Sequence, residues 1–165
     1  MKRTLTLIFT FQLTLFCFGQ NNIVGIYNNH FGEKIELKFD STFVHTNRFD
    51  LSSSWTNGKW KIFNDTIYLK TILVLDTLQI RNSEKIIWRD SLVLSSDSKS
   101  NRIEMEEYVV TLISGGGQNR VKPPEKLYLK NEKLYLINAN GEIDKKKIEQ
   151  FWTRKKYKTN FKKTE

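Results

Sequence analysis

The chain is poor in the residues that usually build metal sites and disulfides. Its 165 residues include one cysteine and two histidines. A single cysteine cannot form an internal disulfide, and a zinc site usually needs three or four ligands. His30 is expected in a loop, and His45 in a strand with its side chain on the face opposite Val44. We therefore predict no metal and no cofactor, and expect an apolar core to provide the stability.

Sequence motifs of common enzyme classes are also missing. The chain contains no Gly-x-Ser-x-Gly, no His-Glu-x-x-His and no Gly-Lys-Ser/Thr. The nearest approach to an acid–base pair is Glu104 and Glu106, which a strand would place about 7 Å apart on one face. A wet strand face is the simpler interpretation of these glutamates. We predict a protein that is not an enzyme, with a hydrolase that uses this carboxylate pair as an alternative.

The first 19 residues differ from the rest of the chain. Lys2 and Arg3 precede an uncharged, apolar stretch from Leu5 to Phe18. A helix of this length is too short to cross a hydrocarbon core of about 30 Å, and the pattern is typical of a secretory signal. We predict cleavage after Gly19 and export to the periplasm, the cell envelope or the exterior. A buried N-terminal element and a lipid anchor on Cys17 are the alternatives.

Alternation of apolar and polar residues dominates the chain after residue 20. In Lys34–Phe39 every second residue is apolar, which is typical of a strand with one face in a core. Asn64-Asp65 and Asn131-Glu132 predict two-residue hairpin turns, and short connections favour antiparallel pairing. A phase slip at Glu106-Glu107 suggests a bulge. The candidate strands are 23–27, 34–39, 42–47, 59–63, 66–70, 72–80, 85–94, 102–112, 126–130 and 133–138.

These strands predict one all-β domain in residues 20–143, an antiparallel meander closed as a barrel or packed as a barrel-like sandwich. The order Gly25-Ile26-Tyr27, Leu37–Phe43, Gly58–Ile62 and Asp65–Leu69 resembles lipocalin-like small barrel domains of exported bacterial proteins. The resemblance implies a barrel that carries a small ligand, and it transfers no binding residue. Large aromatic residues favour a solid core over a hollow cup, and the inward candidates are Phe39, Phe43, Trp60, Phe63 and Trp88.

Residues 144–165 carry most of the net charge of +9. They hold nine Lys or Arg against three Asp or Glu, whereas residues 20–143 hold 16 against 15. Ile148, Phe151 and Trp152 have helical spacing, which predicts a short helix or a disordered basic tail. Cations beside aromatic residues can bind an anionic surface, and the alternative is a solvated tail. The candidate contacts are Lys145, Lys146, Lys147, Arg154, Lys155, Lys156, Lys158, Lys162 and Lys163.

The predicted export, the strand pattern and the missing motifs favour a non-enzymatic binding or accessory protein of the bacterial envelope. Its first candidate partner is a small apolar ligand inside the barrel. The alternative partner is anionic lipid or polysaccharide, bound by the basic tail. Export argues against nucleic acid as a partner, and we expect a monomer.

Overall fold

The computed structural model describes residues 23–49, 52–82, 85–92, 99–113, 117–119, 123–150 and 153–164. The predicted secretory signal lies outside the described residues. No helix of the described part is long and apolar enough to cross a membrane. The strands are β1 (Gly25–Asn28), β2 (Glu33–Leu37), β3 (Thr42–Phe49), β4 (Ser52–Phe63), β5 (Thr66–Ile72), β6 (Leu75–Asn82), β7 (Lys85–Leu92), β8 (Arg102–Glu104), β9 (Gly117–Gln118), β10 (Lys126–Lys130), β11 (Lys133–Leu136), β12 (Lys147–Glu149), β13 (Lys156–Lys158) and β14 (Phe161–Thr164), and the helix α1 is Met105–Ile113.

Eight strands form a closed antiparallel barrel in the order β1, β2, β3, β4, β5, β10, β11 and β14, and β14 pairs back to β1. The barrel strands follow one another in chain order, so the barrel is a meander. Two segments are inserted into it, residues 73–125 between β5 and β10 and residues 137–160 between β11 and β14. The predicted all-β antiparallel barrel is confirmed.

Two-residue hairpin turns join β4 to β5 and β10 to β11. Asn64, Asp65, Asn131 and Glu132 all have positive φ, between 46° and 57°. Two consecutive left-handed residues match the twist of paired strands, and Asn and Asp tolerate that conformation better than most residues. Both predicted turns are confirmed. They lie at one end of the barrel, here called the turn end, and the two insertions leave from the opposite end, the insertion end.

The barrel interior is apolar toward the turn end. Trp60 Nε1 donates a hydrogen bond of 3.0 Å to the carbonyl of Lys38, which places the indole across this end. Phe43 and Trp60 therefore lie in the core as expected, whereas Phe39, Phe63 and Trp88 are exposed at 73%, 65% and 46%. The core consists of Ile23, Tyr27, Ile35, Leu37, Phe43, Trp60, Ile67, Leu69, Leu127, Leu134 and Phe161.

The first insertion carries a second sheet, in which β6 lies between β7 and β8. The strand predicted for residues 102–112 is wrong, because β8 ends at Glu104 and α1 follows directly. The phase slip at Glu106-Glu107 marks the change from the two-residue period of a strand to the 3.6-residue period of a helix. Met105, Val109 and Leu112 have the i, i+4, i+7 spacing of a helix, and the two glutamates in the first turn favour its N-terminus.

The predicted C-terminal helix or disordered tail is also wrong. Lys147–Glu149 and Lys156–Lys158 pair as an antiparallel hairpin, and Phe161–Thr164 is a barrel strand. Phe161 is fully buried and pairs with Leu134 of β11. The last strand is only four residues long and rich in lysine, so its single apolar anchor gives too short an alternation to recognise. Phe151 and Trp152 lie outside the described residues.

Truncation of Phe161 tests whether the last strand closes the core. Phe161→Ala is expected to lower the free energy of unfolding by about 3–5 kcal/mol, because it empties a packed site. Lys162→Ala, at the exposed neighbouring position, is the control and should change it by less than about 0.5 kcal/mol. Urea unfolding followed by tryptophan fluorescence measures both. Similar small effects for the two variants would place β14 outside the core.

Candidate functional site

The barrel interior changes from apolar to polar between two neighbouring rows of inward residues. In the row nearer the turn end, Phe43 of β3 lies opposite Gly58 of β4. In the next row toward the insertion end, His45 lies opposite Thr56. Ile35 of β2 pairs with His45 from the other side. His45 and Thr56 are only 3% and 1% exposed, so both polar side chains are inside the barrel.

Thr159 is a third buried polar residue of this kind. It is 6% exposed and precedes the inward Phe161 by two residues, the spacing of side chains on one face of an extended chain. We call His45, Thr56 and Thr159 the polar level.

The polar level contains four atoms without a hydrogen-bond partner among the described residues. They are both ring nitrogens of His45, Thr56 Oγ1 and Thr159 Oγ1. Each buried polar group left unpaired costs about 1–3 kcal/mol, and most such groups in folded proteins have a partner. The barrel therefore offers hydrogen bonds that its own described side chains do not use.

Burial fixes the charge of the imidazole at this level. Desolvation lowers the pKa of His45 below its ordinary value of 6.5. The ring is therefore neutral at pH 7, with one N–H donor and one nitrogen acceptor. With the two hydroxyl groups, the polar level can both donate to a guest molecule and accept from it.

Gly58 sets the boundary between the two halves of the interior. The ring of Phe43 lies where a side chain at position 58 would project, and a Cβ there would overlap both this ring and the carbonyl oxygen of Lys70. Glycine thus allows the ring to fill the barrel just below His45 and Thr56. The polar level has a solid aromatic floor beneath it.

The turn that precedes β3 helps to hold this floor. The Thr42 hydroxyl and amide both donate to Asp40 Oδ1, at 2.6 and 2.9 Å, and these bonds lower the pKa of Asp40. Ser41 has a φ of 62° and its carbonyl accepts from the Trp60 amide at 2.8 Å. The same short turn therefore starts the strand that carries His45 and anchors the tryptophan of the floor.

The polar atoms of Trp60 and Tyr27 in the floor have hydrogen-bond partners, in contrast to those of the polar level. The Tyr27 hydroxyl donates to the carbonyl of Ile23 at 2.7 Å. Burial raises the pKa of Tyr27 to about 12, and the charge of Glu132 adds to this effect. The phenol therefore stays neutral and paired.

A carboxyl group lies on the inner face nearer the insertion end. Glu33 of β2 pairs with Asn47 of β3 and shares its face with Ile35. Asn29 Nδ2 donates to Glu33 Oε2 at 2.7 Å, and Asn29 Oδ1 accepts from the amides of Phe31 and Glu33. Burial raises the pKa of Glu33, and the hydrogen bond from Asn29 opposes that shift. Glu33 therefore places a titratable carboxyl on the inner face, on the insertion-end side of His45.

His30 lies in a different environment from His45. It is exposed in the connection between β1 and β2, stacks on Tyr157 at 3.4 Å between ring centroids, and has Nε2 3.2 Å from Gln150 Oε1. These contacts attach the β12–β13 hairpin to the loop of residues 29–32. Within the described ranges, no three His, Cys, Asp or Glu side chains come together to hold a metal ion.

The nine cations predicted as an anionic-surface contact do not form one continuous tail, and their contact with an anionic surface stays a prediction. Lys147 pairs with Lys158 across the β12–β13 hairpin, and Lys162 pairs with Lys133 on the barrel. Lys163, one residue further on β14, has its Cε and Nζ beside Gly25. Lys145, Lys146, Arg154, Lys155 and Lys156 are exposed around the hairpin.

The predicted carboxylate pair does not form a strand face. Glu104 ends β8, whereas Glu106 lies in the first turn of α1. Both side chains are exposed. The separation expected from a strand therefore does not apply. Both glutamates line one small cavity of about 130 Å³, and the hydrolase alternative stays a prediction.

Sequence reasoning missed the polar level because it began the fourth strand at residue 59. The first half of β4, Ser52–Gly58, is rich in hydroxyl and amide groups and resembles a loop. Thr56, Gly58 and Trp60 are nevertheless alternate residues of β4, so their side chains share one face of the strand. Phe43 and His45 are alternate residues of β3 and share one face in the same way. This alternation is the signal that places Thr56 and His45 on the same inner surface.

No protein-family model matches the chain, and neither a curated protein nor a solved structure does. What the protein binds is therefore inferred from its own side chains.

The pH dependence of stability tests the burial of His45. Below about pH 6.5, His45 binds a proton in the unfolded chain but stays neutral in the folded protein, because its pKa is lowered there. The free energy of unfolding should therefore fall by up to about 1.4 kcal/mol for each unit that the pH decreases. His45→Phe should remove this component, and His30→Phe should keep it. The raised pKa of Glu33 acts oppositely, because folded Glu33 keeps its proton to a higher pH than unfolded Glu33.

The measurement is urea unfolding at pH 5, 6 and 7.5, and the difference between wild type and His45→Phe isolates the histidine. Parallel curves for these two proteins would mean that His45 titrates normally in the folded state.

Proposed function

We propose that the protein is a non-enzymatic binding protein that holds a small, neutral, polar molecule at the polar level of its barrel. The observation that supports it is the set of four polar atoms on His45, Thr56 and Thr159 that have no hydrogen-bond partner within the described part of the chain. A guest with a hydrogen-bond donor and a hydrogen-bond acceptor would pair with these atoms. It would thereby recover the free energy that is lost when they are buried without hydrogen bonds. Ordered water can do the same, so the experiment has to separate the two.

The side chains favour a polar guest over the apolar ligand first expected. An apolar guest would leave the same nitrogens and hydroxyls unpaired. The space toward the turn end is occupied by Tyr27, Phe43 and Phe161, none more than 1% exposed. A hydrocarbon chain would have to displace this floor.

The neutral imidazole also bears on the charge of the guest. A buried anion would need a protonated His45, which desolvation disfavours. A neutral guest requires no change of protonation and no buried charge.

The closed meander of eight strands has the form of lipocalin-like carriers, which supports assignment to that loose class. The basic and apolar leader supports export to the bacterial envelope. Both belong to the proposal. The proposed role is therefore that of a carrier or sensor of a small molecule outside the cytoplasm.

Nuclear magnetic resonance of the His45 ring nitrogens tests the proposal directly. We expect acetamide, a small neutral probe with a donor and an acceptor, to shift these resonances saturably, and palmitate to leave them unchanged. Thr56→Val, which deletes one hydroxyl at similar volume, should weaken acetamide binding by about tenfold, the value of one lost hydrogen bond.

Thr46→Val is the matched control, because Thr46 lies on β3 next to His45 but on the opposite face. It should bind acetamide like the wild type. Shifts with palmitate alone would favour the apolar carrier instead. No shift with either probe would mean that the polar level holds only water.

A further inference from the structure

The outward faces of β4, β5 and β10 carry lysines and aromatic rings. Outward positions alternate with the core residues, and none of them on these three strands is acidic or arginine. We call this surface the lysine wall, and the residues that matter for its chemistry are Lys59, Lys61, Tyr68, Lys70 and Lys126. The wall is distinct from the C-terminal cations expected to bind anions.

Strand register brings these side chains together. Lys61 of β4 and Lys126 of β10 both pair with Tyr68 on the strand between them. Each Nζ lies 5.7 Å from the centroid of the Tyr68 ring. In the next row, Lys59 lies directly opposite Lys70. Two ammonium groups therefore lie near one tyrosine ring, and two further lysines occupy the neighbouring row of the same face.

This arrangement disfavours the isolated fold and favours an anionic partner. Like charges directly opposite one another destabilise a sheet, and Lys59 and Lys70 form such a pair. Cation–π contacts with Tyr68 offset part of the repulsion around Lys61 and Lys126. Anionic groups placed between the lysines would remove the remainder.

The wall contains a groove. Its volume is about 600 Å³, and it is lined by the four lysines and Tyr68 together with Leu73, Pro123 and Glu125. Glu125 is the carboxylate among the described residues that line it. The backbone carbonyl of Glu125 accepts a hydrogen bond from the Leu69 amide at 2.9 Å, which holds the residue before β10 against β5. A groove on a curved barrel wall fits a chain better than it fits a flat bilayer.

We propose that the lysine wall binds an acidic polysaccharide, a chain of carboxylated or sulfated sugars whose anionic groups lie between the ammonium groups. The cations are all lysines, which act as point charges and do not require the planar anion geometry that the bidentate fork of arginine matches. The two ammonium groups over Tyr68 also occupy the ring on which a nucleic-acid base would stack. At the envelope, where the leader predicts this protein, acidic polysaccharides are the abundant chains of this chemistry.

The lysine wall lies on the outer face of the barrel and the polar level on its inner face, and β4 carries residues of both. Lys59 and Lys61 point outward from β4, and Thr56 points inward. Binding at the wall is therefore independent of the small guest. His45→Phe should bind an acidic glycan like the wild type, so one proposal can fail without the other.

Affinity electrophoresis of the full chain in gels that contain dextran sulfate or neutral dextran measures this binding. We expect retardation by dextran sulfate alone, with an affinity that falls as salt increases. Lys61→Gln/Lys126→Gln should weaken binding by about tenfold or more and lower the slope of log K against log salt by about two, one for each lost cation.

Lys85→Gln/Arg89→Gln is the matched control, because it removes the same charge from exposed side chains on β7, outside the wall. It should keep wild-type binding, and circular dichroism should be unchanged in both double variants. Equal weakening by the two double variants overturns the proposal, since net charge alone would then explain binding. Tighter binding to oligo(dT), or to vesicles with anionic lipid, through the same lysines overturns the assignment to a glycan, and retardation by neutral dextran overturns the ionic mechanism.

Discussion

The structure depends on the pairing of its last strand with its first. β14 lies between β1 and β11, and Phe161 on it is fully buried against the core. Without this strand the seven remaining barrel strands would form an open sheet with two unpaired edges and an exposed apolar face. Closure is what turns alternating side chains into an inside and an outside. Both proposed binding surfaces follow from that separation.

Each barrel strand consequently carries two unrelated chemistries. On β4 the inward residues run from hydroxyl to glycine to indole, and the outward residues include Lys59 and Lys61. The inner series produces a polar level above an aromatic floor. The outer series produces a cationic wall. Because the period is two, a change of one residue in register would exchange these faces, and the buried aromatics fix the register.

Local patterns in the sequence predicted the local parts of this structure. The alternation in Lys34–Phe39 and the Asn-containing turns gave the hairpins, because these features depend on neighbouring residues. The helix α1 was missed because its residues, which include tyrosine, valine and isoleucine, are also typical of strands. Only the helical spacing of Met105, Val109 and Leu112 distinguishes it from a strand. The polar level was missed because the first half of β4 resembles a loop, and the lysine wall was missed because it needs contacts between distant residues. Tyr68 meets Lys126 only after the long insertion of residues 73–125 returns to the barrel.

Charge shows why averages over a sequence hide such surfaces. Residues 20–143 hold 16 cations and 15 anions, which suggests a domain without electrostatic character. Between exposed groups, however, electrostatic interactions decay over about 8–10 Å at moderate salt. An anion near Tyr68 therefore responds to Lys61, Lys126 and their neighbours, Glu125 included, and hardly at all to carboxylates beyond that distance. The field that a ligand meets is set by which strands are adjacent, and adjacency is a property of the closed barrel.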